Sequence, residues 1–136
     1  MNKIILLDTN FLLIPLRYKI DIFTLFKEKY YSFQLCILPE TFKELKEISK
    51  FDDKLGRMAK ATLKLLELKN IKIFDYKNKK IINLPKYHIE TKFKSDEVFK
   101  KLKNHIIATL DKDLIKQIKK NNKVITLNNN ILKEVN

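Results

Sequence analysis

Short runs of apolar residues alternate along the chain with amphipathic stretches, and this alternation predicts an α/β fold. The apolar runs lie at residues 4–7, 33–38, 71–74, 105–109 and 124–127. A run that is apolar throughout is typical of a strand in a parallel sheet that is buried on both faces. A further short strand is expected at 81–84, and the polar tail from residue 128 is expected to fray or to form an edge element.

Five amphipathic stretches between these runs predict helices. They begin at Asp21, Pro39, Asp52 or Asp53, Ser95 and Asp111. Asp and Ser side chains accept hydrogen bonds from the free N–H groups of a first turn, and proline suits that turn because it has no N–H. Apolar residues then recur at spacings of three or four, as in Phe42, Leu45 and Ile48, and give each helix a face for the core.

Strands that alternate with helices predict a three-layer α/β/α domain with a central parallel sheet, of the Rossmann-like kind. We expect a single domain over residues 1–136, because the length suits one core and only one glycine is present to make a flexible linker. In such folds ligands bind beyond the carboxyl ends of the strands, where the strand order reverses. That rule points to Asp8, which ends the first strand, and to the turn at 109–111.

The charge balance favours a polyanionic partner. Lys and Arg total 29 against 16 Asp and Glu, which gives a formal net charge of +13. So large an excess on a small protein is typical of nucleic-acid binding, so a nucleic acid is the partner that the charge favours. Only Arg17 and Arg57 are arginines, and lysine contacts phosphate as a point charge, so backbone contact is favoured over sequence readout. The alternative is that the lysines reflect an AT-rich coding bias and solubility.

The segment 75–94 is irregular and combines positive charge with aromatic rings. Its lysines are Lys77, Lys79, Lys80, Lys86, Lys92 and Lys94, and its aromatic residues include Tyr76, Tyr87 and Phe93. Such a mixture is typical of surfaces on which the bases of a single strand stack while lysines neutralise the backbone, so these lysines are candidate RNA-binding residues. An ordinary loop that anchors its aromatic rings on the core is an equally good interpretation.

Cysteine, histidine and hydropathy exclude several other classes. The single cysteine, Cys36, lies in an apolar run and is expected to be a buried thiol in a reducing compartment. His88 and His105 are far apart and have no cysteine partner, so a zinc site or a nucleophilic triad has little support. No apolar stretch approaches the roughly 18 residues needed to cross a bilayer. We therefore expect a cytoplasmic protein that has no membrane partner.

Several carboxylates fall where the strand-end rule expects a site. Asp8 follows a buried strand, Asp96 lies in the first turn of a predicted helix, and Asp111 and Asp113 open another helix directly after a strand. Carboxylates that converge at one edge raise one another's pKa unless they share a divalent cation. A set of oxygen ligands suits Mg²⁺ or Mn²⁺ better than Zn²⁺. The alternative is that each acid only caps a turn or a helix.

Four segments together resemble the PIN-domain family. They are IILLDTNFL at 4–12, LPETFKELKEI at 38–48, SDEVF at 95–99 and IIATLDKDLIKQIKKNNKVITL at 106–127. The chain looks most similar to archaeal single-domain PIN ribonucleases of the rRNA-processing type and, more distantly, to VapC toxins. The resemblance implies an endoribonuclease that uses Mg²⁺ or Mn²⁺ to cleave single-stranded RNA.

The resemblance also assigns roles to individual residues. Asp8, Glu44, Asp96 and Asp111 match the four acids of the family. It implies that Asp8, Asp96 and Asp111 bind metal, whereas Glu44 either binds metal or orients the attacking water. It gives supporting positions to Thr9, Asn10, Thr109 and Asp113.

Several alternatives remain open at this point. The first interpretation is a processing or turnover nuclease. The others are a toxin held by an antitoxin and a catalytically weak protein that binds RNA or scaffolds ribosome assembly. A homodimer is expected from the resemblance alone. A phosphotransfer domain ranks last, because Asn10 stands where a phosphatase needs a second Asp and no Gly-rich phosphate loop exists.

Overall fold

The computed structural model describes residues 3–86 and 90–135. The strands are β1 (Lys3–Leu7), β2 (Phe33–Ile37), β3 (Lys72–Asp75), β4 (Lys80–Ile82), β5 (Ile106–Ala108), β6 (Lys123–Asn128) and β7 (Ile131–Val135). The helices are α1 (Thr9–Leu12), α2 (Ile14–Tyr18), α3 (Ile22–Lys29), α4 (Pro39–Ile48), α5 (Lys54–Leu68), α6 (Ser95–Lys101) and α7 (Lys112–Ile118).

The strands form one sheet in the order β4-β3-β2-β1-β5-β6-β7. The five middle strands are parallel, whereas β4 pairs antiparallel with β3 and β7 pairs antiparallel with β6. The predicted central parallel sheet is therefore confirmed, with an antiparallel strand added at each edge. β2 and β3 follow β1 on one side of it, and β5 and β6 lie on its other side. The strand order thus reverses between β1 and β5, where open α/β sheets bind their ligands.

Helices cover both faces of the sheet, as the apolar strands predict. Ile5 and Leu7 pack into a core that α1 to α5 share, and Leu6 packs into a second core with α6 and α7. Alternate side chains of β1 point to opposite faces, so this central strand must be apolar at every position. Cys36 is a buried free thiol in the second core, as predicted.

Helix starts follow the capping chemistry of the sequence with one exception. The side chain of Asp21 accepts hydrogen bonds from the N–H groups of Phe23 and Thr24 at the start of α3. Asp53, and not Asp52, caps α5, because its Oδ1 accepts from the N–H of Gly56 at 2.8 Å.

The exception is Ser95, which was expected to be the N-cap of α6. Lys94 holds the cap position and Ser95 is the first residue of the helix. The physical reason is a carboxylate from α4, since Glu44 accepts both the N–H and the hydroxyl of Ser95. The side chain that would cap its own helix is therefore engaged with another helix.

The remaining elements refine the expected boundaries. The strand expected at 81–84 is β4, which covers Lys80–Ile82, and the polar tail forms the paired edge strand β7. Tyr87, a candidate for base stacking, and His88 lie outside the described residues. None of the helices described above combines the length and the apolar composition that spanning a bilayer requires.

Candidate active site

Asp8 lies immediately after β1, at the point where the strand order reverses. Its side chain is 4% exposed. Its Oδ1 accepts from the N–H of Thr9 at 2.8 Å, and its Oδ2 accepts from the hydroxyl of Thr109 at 2.7 Å. Its own N–H donates to the carbonyl of Ala108 at 2.9 Å. Asp8 is thus fixed between the ends of two neighbouring parallel strands.

The surroundings of Asp8 disfavour its negative charge. Burial raises the pKa of the Asp8 carboxyl to about 6, and the charges of Asp96 and Glu44 act in the same direction. The hydrogen bonds from Thr109 and Thr9 oppose that rise only in part. An ionised Asp8 would therefore be stabilised by a cation placed beside it.

The turn after β5 is tied to the turn after β1 by polar side chains. Oδ1 of Asn10 accepts from the N–H of Leu110 at 3.2 Å. The fully buried hydroxyl oxygen of Thr109 accepts from the N–H of Asp111 at 3.1 Å while it donates to Asp8. Asn10 and Thr109 therefore set the relative positions of Asp8 and Asp111.

Glu44 joins three separate helices. Its Oε1 accepts from the hydroxyls of Thr9 at 2.9 Å and Ser95 at 2.8 Å, and its Oε2 accepts from the N–H of Ser95 at 3.0 Å. Glu44 does not belong to a solvated row of acids on α4, because Glu44 is partly buried and Glu40 is buried. Of the three acids on α4, Glu47 alone is exposed, and its Oε1 lies 3.9 Å from the Nζ of Lys43 in an ion pair.

Asp96 and Asp111 complete the group of acids. Partial burial raises the pKa of Asp96, and the nearby charges of Asp111 and Glu44 raise it further. Asp111 does cap α7, since its Oδ1 accepts from the N–H groups of Asp113 and Leu114. Capping and a site role are compatible here, because within the described part of the chain no donor bonds to Oδ2 of Asp111.

The four acids open onto one cleft of about 350 Å³. Its lining is Asp8, Thr9, Asn10, Leu13, Arg17, Glu44, Ile48, Leu55, Lys94, Ser95, Asp96 and Asp111. The structure therefore brings together the four carboxylates that the sequence singled out. Sequence reasoning missed Arg17 and the apolar wall of Leu13, Ile48 and Leu55; the only signal for Arg17 was its rarity as one of two arginines.

Other predicted site residues lie elsewhere. The side chain of Asp113 is exposed and outside the cleft, and only its N–H contacts Asp111. Of the six lysines of segment 75–94, Lys94 lines the cleft. The others are spread over a neighbouring pocket (Lys77 and Lys92), a groove between α4 and α5 (Lys86) and the exposed β3–β4 hairpin (Lys79 and Lys80).

The fit of this cleft to a metal ion rests on its donor chemistry. Its acids supply only oxygen ligands. Burial raises the pKa values of Asp8 and Asp96, neighbouring carboxylates raise them further, and a cation would offset both effects. Over residues 3–86 and 90–135, no three His, Cys, Asp or Glu side chains are grouped so that they alone could hold an ion. Mg²⁺ commonly binds through one or two carboxylates and keeps several waters, so the set fits an ion of that kind.

Comparison with known proteins supports the fold assignment. No protein-family profile matches the chain. No curated protein matches it either. Among solved structures, the PIN domain endonuclease Utp24 superimposes with a TM-score of 0.67 and 22% sequence identity, over 96% of this chain and 90% of that one. The chain therefore has the fold of a PIN domain, as the resemblance predicted.

Proposed function

We propose that this protein is a divalent-metal-dependent endoribonuclease that cleaves single-stranded RNA, in RNA processing or turnover, at the cleft around Asp8. The observation that carries the proposal is the convergence of Asp8, Glu44, Asp96 and Asp111 at the reversal point of a PIN-domain sheet. The net charge of +13 and the endonuclease activity of the structural neighbour support it.

The hydrogen bonds of the site suggest which acids bind metal and which one positions the others. Asp8, Asp96 and Asp111 would hold Mg²⁺ or Mn²⁺, with Asp8 kept in place by its two threonine donors. Glu44 already accepts three hydrogen bonds that join α1, α4 and α6. We assign it a positioning role, in which it keeps Asp96 on α6 opposite Asp8.

A bound divalent cation would stabilise charge on the scissile phosphate as a Lewis acid and lower the pKa of an attacking water.

The cleft also carries basic side chains that can contact the phosphates of the substrate. Arg17 and Lys94 are the two basic residues of the described cleft lining, and no ion pair joins either of them to its carboxylates. Both are therefore free to contact phosphate oxygens on either side of the cut.

A second candidate function is RNA binding without cleavage, for example as a ribosome-assembly scaffold. The observation that favours it is the lack of a compact three-ligand metal group among the residues described. The presence of all four acids argues against it. A buried Asp8 with a raised pKa lowers the stability of the fold at neutral pH, and RNA binding alone does not require such a residue. The toxin role, an antitoxin partner and a homodimer stay predictions.

The test is cleavage of a 5′-labelled single-stranded RNA in Mg²⁺ or Mn²⁺. The variant is Asp8→Asn/Asp96→Asn, and the matched control is Glu28→Gln/Glu67→Gln, which removes two exposed carboxylates outside the cleft. We expect the wild type and the control to cleave, and the Asp8/Asp96 variant and every sample in EDTA to be inactive.

Two results would count against the proposal. Equal cleavage by the wild type and the Asp8/Asp96 variant would place the activity elsewhere. Salt-dependent RNA binding by all three proteins, with no cleavage of any RNA tested, would favour the scaffold function.

A further inference from the structure

A second buried acid, Glu40, lies outside the Asp8 cleft. It is on the first turn of α4 and is 3% exposed. Its Oε2 accepts from the hydroxyls of Thr91 at 2.7 Å and Tyr76 at 3.2 Å. Its Oε1 is buried, and no donor among residues 3–86 and 90–135 bonds to it. A buried carboxylate oxygen that lacks a donor is rare in proteins, which suggests that the missing donor belongs to a ligand.

Glu40 borders a pocket that is suited to a nucleoside. The pocket has a volume of about 740 Å³, within the range of small-molecule sites. The rings of Tyr76 and Phe93 line it together with Lys77 and Lys92. Phe93 is 41% exposed, so its ring is open to stacking. The ammonium of Lys101 lies over one face of that ring, 4.9 Å from its centroid, so a base would stack on the other face.

The pocket adjoins the Asp8 cleft through two separate connections. Glu40 and Glu44 are four residues apart on α4, so they lie one turn apart on the same side of the helix. Thr91 and Ser95 are likewise four residues apart in the chain, and they donate to Glu40 and Glu44 respectively. The Nζ of Lys43 donates to the carbonyl of Thr91 at 2.8 Å and holds this segment against α4.

We propose that the pocket formed by Glu40, Tyr76 and Phe93 is a base-binding subsite that selects guanine in the nucleotide next to the cleaved bond. This inference rests on the proposed ribonuclease function, because the subsite would hold one base of the RNA that occupies the Asp8 cleft. Oε1 is buried, so a base reaches it only when the Glu40 carboxylate turns toward the pocket, and the last torsion of a glutamate is soft enough for that turn.

The chemistry of the acid selects guanine among the four bases. An ionised carboxylate only accepts hydrogen bonds, so its partner must present donors. The Watson–Crick edge of guanine carries two adjacent donors, N1–H and the N2 amino group. Uracil has one N–H between two carbonyl oxygens, which would face the carboxylate. Adenine and cytosine each place one amino group beside a ring nitrogen acceptor, so they match only half of the contact.

Binding in EDTA tests the subsite separately from cleavage. The probes are fluorescent seven-residue RNAs that consist of uridine except for a central G, A, C or U. Hydrogen bonds to a charged group predict a preference of the wild type for the G probe of about 10- to 100-fold. Glu40→Gln keeps the shape but exchanges an acceptor for a donor, and should reduce the preference to within about twofold. Glu28→Gln, an exposed change on α3, should keep it.

A second variant covers the case in which Glu40→Gln does not fold. Phe93→Ala changes a partly exposed ring and should weaken binding of the G probe about tenfold through lost stacking. Equal affinity of the wild type for all four probes would overturn the subsite, even if RNA is cleaved. A preference for G that Glu40→Gln leaves intact would overturn the role of Glu40. Selective binding without cleavage in Mg²⁺ would instead support the subsite and contradict the ribonuclease function.

Discussion

Replacing Asp8 with asparagine should stabilise the metal-free protein at neutral pH. The folded protein holds this carboxyl with a pKa of about 6, against an ordinary value of 3.8, chiefly because of burial. Native Asp8 therefore binds its proton more tightly than unfolded Asp8 does. The wild type loses stability as the pH rises from about 4 to about 6, and the loss is complete above that range.

The size of the effect follows from the same values. A rise in pKa from 3.8 to about 6 corresponds to about 3 kcal/mol of lost stability, at about 1.36 kcal/mol per pH unit. Asparagine can still accept from the N–H of Thr9, but its amide must donate to Thr109, and this exchange costs about 1 kcal/mol. A net gain of about 2 kcal/mol raises the melting temperature of a domain of this length by roughly 6–8 °C.

The assay is thermal unfolding in EDTA from pH 3.5 to 7.5. Asp8→Asn should melt slightly below the wild type at the acid end, where only the cost of the exchanged hydrogen bond remains, and above it as the pH rises through about 6. Added Mn²⁺ should stabilise only the wild type. The control is Asp21→Asn, where the Thr24 hydroxyl lowers the pKa of an exposed cap. Because ionised Asp21 stabilises the fold, that variant should be less stable than the wild type above pH 4, which is the opposite of the change expected for Asp8→Asn. A lower melting temperature for Asp8→Asn at pH 7.5 would refute the reasoning and make Asp8 a structural residue.

Three further predictions concern single contacts. Thr109→Val removes the buried donor to Asp8, so urea unfolding should show a loss of about 1–3 kcal/mol and the pKa of Asp8 should rise further. Gly56→Ala places a Cβ against the backbone carbonyl oxygen of Phe51, so the start of α5 must shift and the urea midpoint should fall. Arg17→Gln should raise KM for RNA more than it lowers kcat, and Arg17→Lys should recover part of the loss, whereas unchanged KM would show that Arg17 does not contact the substrate.

The sequence predicts best those features that depend on neighbouring residues. Apolar runs locate the strands of the parallel sheet, and Asp21 and Asp111 start helices through contacts within three residues. Asp8 could be singled out because a polar residue directly after a buried strand is itself a local signal. Strand-end rules then place Asp111 beside it without any knowledge of the tertiary structure.

The sequence fails where a contact spans a long stretch of chain. Ser95 has the chemistry of an N-cap, and only the approach of Glu44, 51 residues away, gives it another partner. Glu40 resembles an ordinary first-turn acid until Thr91, also 51 residues away, and Tyr76 enclose it. The abundance of lysine predicts contact with the RNA backbone, whereas the base-binding subsite proposed at Glu40 depends on these long-range contacts and has no signal in the sequence.

The origin of the oxygen in the product phosphate tests the central claim most directly. The claim is that the Asp8 cleft hydrolyses RNA by metal-assisted attack of water. Cleavage in water enriched in ¹⁸O should leave one ¹⁸O atom on each new terminal phosphate, and a substrate with a single 2′-deoxyribose at the cut should still be cleaved. A 2′,3′-cyclic phosphate without ¹⁸O, together with resistance of the deoxy substrate, would show attack by the ribose hydroxyl and contradict the account.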